Sequence, residues 1–241
     1  MNWHLGRLCG FDLETTGVDV ENDRIVTACV VQCGGNMPVQ PATWLADPGI
    51  EIPEGAAKIH GITTAKARAE GRPAAEVVEQ VVAALAQVVR DGIPIVAMNA
   101  AFDLTMLDRE ARRHGVQPLT DIAEPTVLDP RVLDKQIDRY RRGGRTLTDL
   151  CRVYRVPLDG AHSADADAIA ACRVVWRIGQ QQTELAQLAV HEVHERQVEW
   201  AREQAEGLAA YFRETPGKES WADGVRTEWP FIPVQRAGGD R

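Results

Sequence analysis

Phe11-Asp12-Leu13-Glu14-Thr15-Thr16-Gly17 is the stretch on which the reading of this chain turns. It closes a short apolar, β-rich run over 8–13, and Thr16-Gly17 supplies a turn signal behind it. Side chains alternate along a strand, so Asp12 and Glu14 project to one face and Leu13 to the other. Two carboxylates that close together at a strand end repel. A divalent cation between them removes the repulsion, and oxygen donors suit Mg²⁺ or Mn²⁺. Two solvated acids at a strand end are the plainer reading, and an isolated Asp-x-Glu would not displace it.

Working outward, 25–33 is a second β-rich run across the turn-like Glu21-Asn22-Asp23, and 43–45 a short third strand. Pro73 opens a run in which Val77, Val78, Val81, Val82, Leu85, Val88 and Val89 form one helical stripe, closed at Asp91-Gly92. Residues 93–97 read as a buried strand and 102–114 as a helix stopped by Gly115. Strands first, then alternating helix and strand, predict an α/β or α+β sheet fold. Past 116 the pattern is mostly helical, with a last short strand at 127–128 and helices over 146–154 and 164–178. Leu185, Leu188, Val193, Ala201, Ala205, Leu208 and Phe212 give 184–213 the look of one long amphipathic helix docked on the domain. After Thr215-Pro216-Gly217 an irregular strap is expected, so the chain divides into 1–182 and a helical C-terminal extension with a tail, 183–241.

Composition bounds what such a protein can be. With 241 residues, 44% apolar and 26% charged, the chain is an ordinary folded protein with a real core, not a disordered or fibrous one. A net charge of −8 excludes a wholesale cationic surface, so nucleic acid would have to be met by a local basic patch or by bound metal. Five cysteines without a Cys-x-x-Cys pair argue against a disulfide framework or a thiolate zinc site, and for buried thiols in a reducing cytoplasm. No signal peptide and no membrane-spanning run is apparent, which predicts a cytoplasmic protein without a membrane partner.

Two more groups carry chemistry. Asn99-Ala100-Ala101-Phe102-Asp103 follows the 93–97 strand and opens a helix, a junction where functional residues of α/β sheets gather, although Asn99 or Asp103 could simply cap that helix. His162-Ser163-Ala164-Asp165-Ala166-Asp167 sets a histidine five positions before an aspartate at another helix start, where Ser163 or Asp165 could again be a cap. In order and spacing the three segments resemble the exonuclease motifs of the DEDD superfamily. The histidine marks the DEDDh branch, similar to the proofreading epsilon subunit of bacterial replicative polymerases and its free-standing relatives. The resemblance covers 7 to about 178 and includes Ile59-His60-Gly61-Ile62-Thr63.

That resemblance implies a ribonuclease-H-like mixed central sheet flanked by helices, and a 3′→5′ exonuclease. It makes Asp12, Glu14, Asp103 and Asp167 ligands of two divalent metal ions, Mg²⁺ or Mn²⁺, which stabilise both oxygens of an in-line displacement at phosphorus. His162 becomes the general base, and imidazole, with an ordinary pKa of about 6.5, suits that task. Asp165 is left as helix N-terminal charge or outer support.

Substrate contacts that the resemblance implies are Leu13, Thr15 and Thr16 at the 3′ end, Ile59 and His60, and Asn99 and Phe102 beside sugar and base. Phe102 as core and His60 as a structural turn residue compete with those roles. Arg139, Arg141, Arg142 and Arg145, with Tyr140 and two glycines between them, form a local basic patch that could track a phosphate backbone or be a solvated face. Single-stranded or frayed DNA 3′ ends are the expected substrate, with RNA, as for ribonuclease T or oligoribonuclease, the alternative. A scaffolding subunit docked on a polymerase subunit or sliding clamp is the alternative from another class. Gln182-Thr183-Glu184-Leu185 resembles a clamp-binding peptide only faintly, lacking the terminal aromatic pair.

Overall fold

Strand β1 (Arg7–Thr15) pairs antiparallel with β2 (Ile25–Gly34), and β2 pairs antiparallel with β3 (Gln40–Asp47), so the chain begins as a three-stranded meander. Two short helices follow, α1 (Glu54–His60) and α2 (Thr64–Glu70), then the two-residue strand β4 (Arg72–Pro73) beside β3. Helix α3 (Ala74–Arg90) leads into β5 (Ile95–Val96), and α4 (Ala100–Arg113) with α5 (Leu119–Ile122) into β6 (Val127–Leu128). The remainder is helical: α6 (Pro130–Ile137), α7 (Leu147–Tyr154), α8 (Ala164–Gln181), α9 (Thr183–Gln187) and α10 (Val190–Glu214), then a 3₁₀ turn over Glu219–Gly224. This computed structural model describes residues 2–158, 160 and 162–234.

The sheet runs β4-β3-β2-β1-β5-β6, with β5 parallel to β1 and β6 parallel to β5. It is the mixed, helix-flanked, ribonuclease-H-like sheet that the resemblance implied. β1 lies inside the sheet, and its alternation feeds two cores. Cys9, Phe11 and Leu13 join the valines of α3 and Leu104 and Leu107 of α4 on one face. Leu8 joins Val174, Val175 and Ile178 of α8 on the other. Among the described residues no helix is long and apolar enough to cross a membrane.

Several expected elements differ in extent. The strand expected at 43–45 occupies Gln40–Asp47, and that at 93–97 pairs only at Ile95–Val96. The single helix expected over 184–213 is two. Trp3 donates its indole N–H to the Leu185 carbonyl at 3.0 Å, and Glu192 accepts the Ala189 N–H at 2.6 Å, so the backbone groups at the break are satisfied without a continuous helix. Helices α1, α2, α5 and α6 and the short strand β4 are not among the expected elements. The signal for α6 was present: Asp129 caps it, accepting from Arg131 N at 2.8 Å, and Pro130 follows at the first helical position.

Helix α10 finishes the sheet. β6 is an edge strand, and its outer backbone groups are taken by side chains of α10 in place of another strand. His194 Nδ1 accepts the Val127 N–H at 3.1 Å, while Gln197 donates to the Val127 carbonyl at 3.0 Å and accepts the Asp129 N–H at 2.8 Å. Gln197 is fully buried. Beyond α10 the tail crosses α4, where Thr105 Oγ1 accepts from Ile232 N at 2.9 Å, Arg109 donates to the Ile232 and Pro233 carbonyls, and Trp229 is buried. Gln197→Ala leaves a carbonyl and an N–H buried without partners, at about 1–3 kcal/mol each. Urea unfolding should place the variant at least about 2 kcal/mol below wild type, and an unchanged midpoint would show that the edge of β6 does not depend on α10.

Candidate active site

The site is built on the α8 side of β1. Gly10 is the residue that lets it form: a Cβ there would lie 2.5 Å from the Ala168 carbonyl oxygen and 3.0 Å from Val31 Cγ1, so the absence of a side chain lets α8 cross the sheet closely. Asp167, one residue before that contact, is thereby delivered to the face on which Asp12 and Glu14 stand. Oxygen atoms of Asp12, Glu14 and Asp167 all lie within 4.8 Å of one another. Asp103 arrives from the other flank. β5 pairs with β1 only at Cys9 and Gly10, leaving later β1 amides on that edge free, and Leu13 N–H donates to Asp103 Oδ1 at 3.1 Å.

Gathering acids this way raises their pKa values. Burial pushes Asp12 well above the usual carboxylate range, and Asp103, Asp167 and Glu14 add to the shift. Glu14 is pushed up to about 7, chiefly by burial and then by Asp167. Burial also raises Asp103, against the opposing hydrogen bond from Leu13 N–H, and raises Asp167, against that from His162 N–H. Asp167 Oδ1 is buried without a hydrogen-bond partner among the described residues. An all-carboxylate donor set with an unpartnered oxygen suits a hard divalent cation, and these three acids are placed to bind one.

His162 sits on the rim. It is exposed, with φ +69°, and its N–H donates to Asp167 Oδ2 at 3.3 Å. A cleft of about 460 Å³ brings Glu14, His60, His162, Ser163 and Asp165 to one opening. Asp165 accepts from the Ser163 hydroxyl at 2.6 Å.

The remaining expected site residues fall out differently. Leu13 is buried in the core, so only its backbone faces the cleft side. Thr16 is buried, its hydroxyl donating to Asp23 at 2.7 Å and accepting from Arg24 N at 3.0 Å, and Thr15 Oγ1 donates to the Gly17 carbonyl at 2.6 Å. Both hydroxyls therefore serve the turn. His60 Nδ1 accepts the Ile62 N–H at 3.1 Å, burial lowers its pKa, and Ile59 beside it is exposed. Asn99 is exposed and left-handed (φ +62°), its Oδ1 accepting from Arg131 at 3.1 Å, and Phe102 is half-buried against the core. The arginine run divides. Arg141 and Arg145 both donate to the buried Asp134, at 2.7 and 2.8 Å, whereas Arg139 and Arg142 are exposed. Leu185 of the 182–185 stretch is buried.

Sequence reasoning overlooked Gly10, whose role appears only when α8 packs, and Asp129. The Asp129 carboxylate accepts the N–H groups of Asn99 (3.2 Å) and Ala100 (2.9 Å), which fixes the start of α4 and hence the approach of Asp103. The Asp129-Pro130 pair was the available signal.

The sequence model of the exonuclease family (RNase_T) matches residues 9–175, which contain every one of these acids. The chain belongs to this exonuclease family. It is 29% identical over 168 residues to a DNA polymerase III PolC-type of Lacticaseibacillus paracasei, covering 70% of this chain and 11% of that protein. It is 30% identical over 177 residues to the PolC-type polymerase of Streptococcus pyogenes, covering 73% of this chain and again 11% of the relative. In fold it is similar to Exonuclease I of E. coli in complex with a dT13 oligonucleotide (TM-score 0.63, 20% identity, 75% of this chain and 42% of that one). Exonuclease I of Methylocaldum szegediense is a further structural neighbour (TM-score 0.61, 19% identity, 85% and 45%).

The raised carboxyl pKa values carry a pH consequence for the metal-free protein. A folded-state pKa above the unfolded one means that folding holds protons that unfolding releases. Metal-free stability should therefore be highest below pH 4.5 as far as Glu14 is concerned and fall as pH rises toward about 7. Asp12→Asn removes one of the repelling charges. In EDTA at pH 8 its melting temperature should exceed wild type, at about 2–4 °C per kcal/mol relieved, and added Mn²⁺ should stabilise wild type more than the variant. A variant melting below wild type in EDTA would overturn this electrostatic account.

Proposed function

We propose that the chain is a metal-dependent 3′→5′ exonuclease acting on single-stranded or frayed DNA ends and releasing nucleoside 5′-monophosphates. In this reading 1–182 is the catalytic unit and 183–241 the C-terminal extension, whose part up to 234 braces it while the end of the expected tail, 235–241, lies outside the described residues. The observation that carries the proposal is the convergence of Asp12, Glu14 and Asp167 within 4.8 Å, with Asp103 held against the backbone between the first two. Asp12, Glu14, Asp103 and Asp167 would hold two divalent ions, Mg²⁺ or Mn²⁺. Bound there, such ions supply electrostatic stabilisation to the attacking and leaving oxygens of an in-line displacement.

The chain's own residues do the rest. His162 takes the proton of the attacking water, and its exposed position on the rim lets that proton pass to solvent. Leu13, Thr15 and Thr16 offer backbone groups to the terminal nucleotide, with Ile59 and His60 on one side and Asn99 and Phe102 on the other. Arg139 and Arg142 make no ion pair among the described residues and are the arginines open to phosphate, while Arg141 and Arg145 stiffen their segment through Asp134. DNA as substrate is supported by the PolC-type polymerases among the relatives and by the oligonucleotide in the Exonuclease I structure. The same relatives support a polymerase subunit as partner, ahead of a sliding clamp. A cytoplasmic setting suits five buried free thiols.

With Mn²⁺, a 5′-labelled DNA oligomer should shorten stepwise from its 3′ end, faster than an RNA oligomer of the same sequence; the reverse order would move the substrate to RNA. EDTA, Asp12→Ala or Asp103→Ala should abolish the reaction. His162→Ala should keep metal binding and lose about 10²- to 10⁴-fold in single-turnover rate. Turnover that survives EDTA would refute the metal mechanism, and a His162→Ala rate equal to wild type would remove His162 from the chemistry.

A further inference from the structure

Outside the acidic cleft, a groove of about 560 Å³ runs between α6, α10 and the tail, with Asn99, Arg131, Lys135, Leu208, Trp221 and Arg226 along it. A second groove of about 480 Å³ shares Asn99, Ala101, Arg226 and Glu228 with the first and reaches Phe102. The two together lead along the start of α4, the helix that carries Asp103.

Among its lining side chains the first groove carries more cations than acids, Arg131, Lys135 and Arg226 against Asp129 and Glu228, in a chain whose net charge is −8. Arg131 and Lys135 stand one helical turn apart on α6, and Arg139 continues the line toward α10, where a Cβ on Gly207 would lie 3.9 Å from its guanidinium. None of the three is in an ion pair among the described residues. Burial and the neighbouring arginines 131, 145 and 139 push the Lys135 ammonium below its ordinary range. The acids on the grooves already have partners: on the second groove Asp19 accepts from Glu21 N and Asn22 Nδ2, and Glu21 pairs with Arg109. Asp129 accepts three backbone N–H groups, and Glu228 faces Arg226 at 3.9 Å while accepting the Thr227 N–H. Two exposed aromatic rings lie beside cations: Trp221, at 56% exposure, with Lys218 Nζ 5.3 Å over its ring and Phe212 edge-on at 5.5 Å, and Tyr140, at 88%, under the Arg139 guanidinium at 6.0 Å.

Cations strung along two turns, rather than converging on one point, fit an extended polyanion better than a small anion, and exposed aromatic rings among them fit one that carries bases. We infer that this groove is a track for a single-stranded polynucleotide upstream of the nucleotides held at the acidic cleft, with Arg131, Lys135 and Arg139 on successive phosphates and Trp221 as a platform for a base. The inference rests on the proposed function in that the strand's 3′ end enters the cleft.

Binding without turnover tests it. The full chain in EDTA is titrated by fluorescence anisotropy against 5′-labelled dT3, dT12 and rU12. The 12-mers should bind at least about ten-fold tighter than dT3, with a log affinity against log salt slope steeper by about 2, three phosphates at about 0.7 each. Lys135→Gln should take about 0.7 off that slope, and Trp221→Ala should weaken the 12-mers several-fold at unchanged slope, with dT3 unaffected by either. A gain confined to dT12 or to rU12 supports the track and names its polymer. Equal affinity for dT3 and both 12-mers, a Lys135→Gln slope equal to wild type, or displacement of dT12 by polyglutamate at matched charge would overturn it. Hydrolysis with Mn²⁺ is scored separately. A protein that shows the length dependence but hydrolyses nothing refutes the exonuclease reading and keeps the track, whereas one that trims dT12 without any length dependence does the opposite.

Discussion

Mutual repulsion among the carboxylates at the end of β1 is the constraint around which the molecule is arranged. Asp12 and Glu14 share a face because a strand alternates, and Phe11 and Leu13, buried on the opposite face, prevent that alternation from slipping by one residue. The apolar contacts of α8 with β1 and β2 then press Asp167 against the pair, at the only spacing a bare Gly10 allows. Hydrophobic burial on both faces of the sheet thus holds together charges that would separate in water, and burial first, then the Asp167 carboxylate, pushes Glu14 up to about 7. A cluster held this way could take a divalent cation with little further ordering of its side chains.

The second feature is how far along the chain that preorganisation reaches. Gln197 holds β6 and the Asp129 amide, Asp129 holds the Asn99 and Ala100 amides, and these set the start of the helix on which Asp103 stands. Each link is a buried hydrogen bond, and an unpaired member of such a network costs more than a surface contact could return. The tail adds to the same support, because Arg109 on α4 clasps the carbonyls of Ile232 and Pro233 while pairing with Glu21 near the β1 turn. The region after 182 is therefore coupled to the candidate site although it carries none of its acids.

Much of this was legible in the residues. The period-two pattern around Asp12, the valine stripe of α3 and the Gly115 stop of α4 each depend on neighbours a few positions away, and each appears in the structure close to where it was expected. The long helix over 184–213 was misread as continuous because its period survives the break. At the break the Leu185 carbonyl accepts both from Leu188 N and from the indole of Trp3, a residue 182 positions away. The arginine run misled in a similar way: four guanidiniums in seven positions look alike in sequence, yet the buried Asp134 captures two of them and leaves Arg139 and Arg142 exposed.

By itself, then, the sequence determined which groups this protein has for chemistry and which side of its own element each one faces, because helical and strand periodicities are local properties of the backbone. Only the tertiary structure decided which of those groups meet, which are consumed in holding the fold, and which are left for a ligand. Asp103 reaches Leu13 across 90 positions, and Gln197 reaches Asp129 across 68. Lys135 and Trp221 come to line one groove only because α10 packs between their segments. Such pairings are set by the simultaneous burial of two cores, a condition on the whole chain that no local window contains.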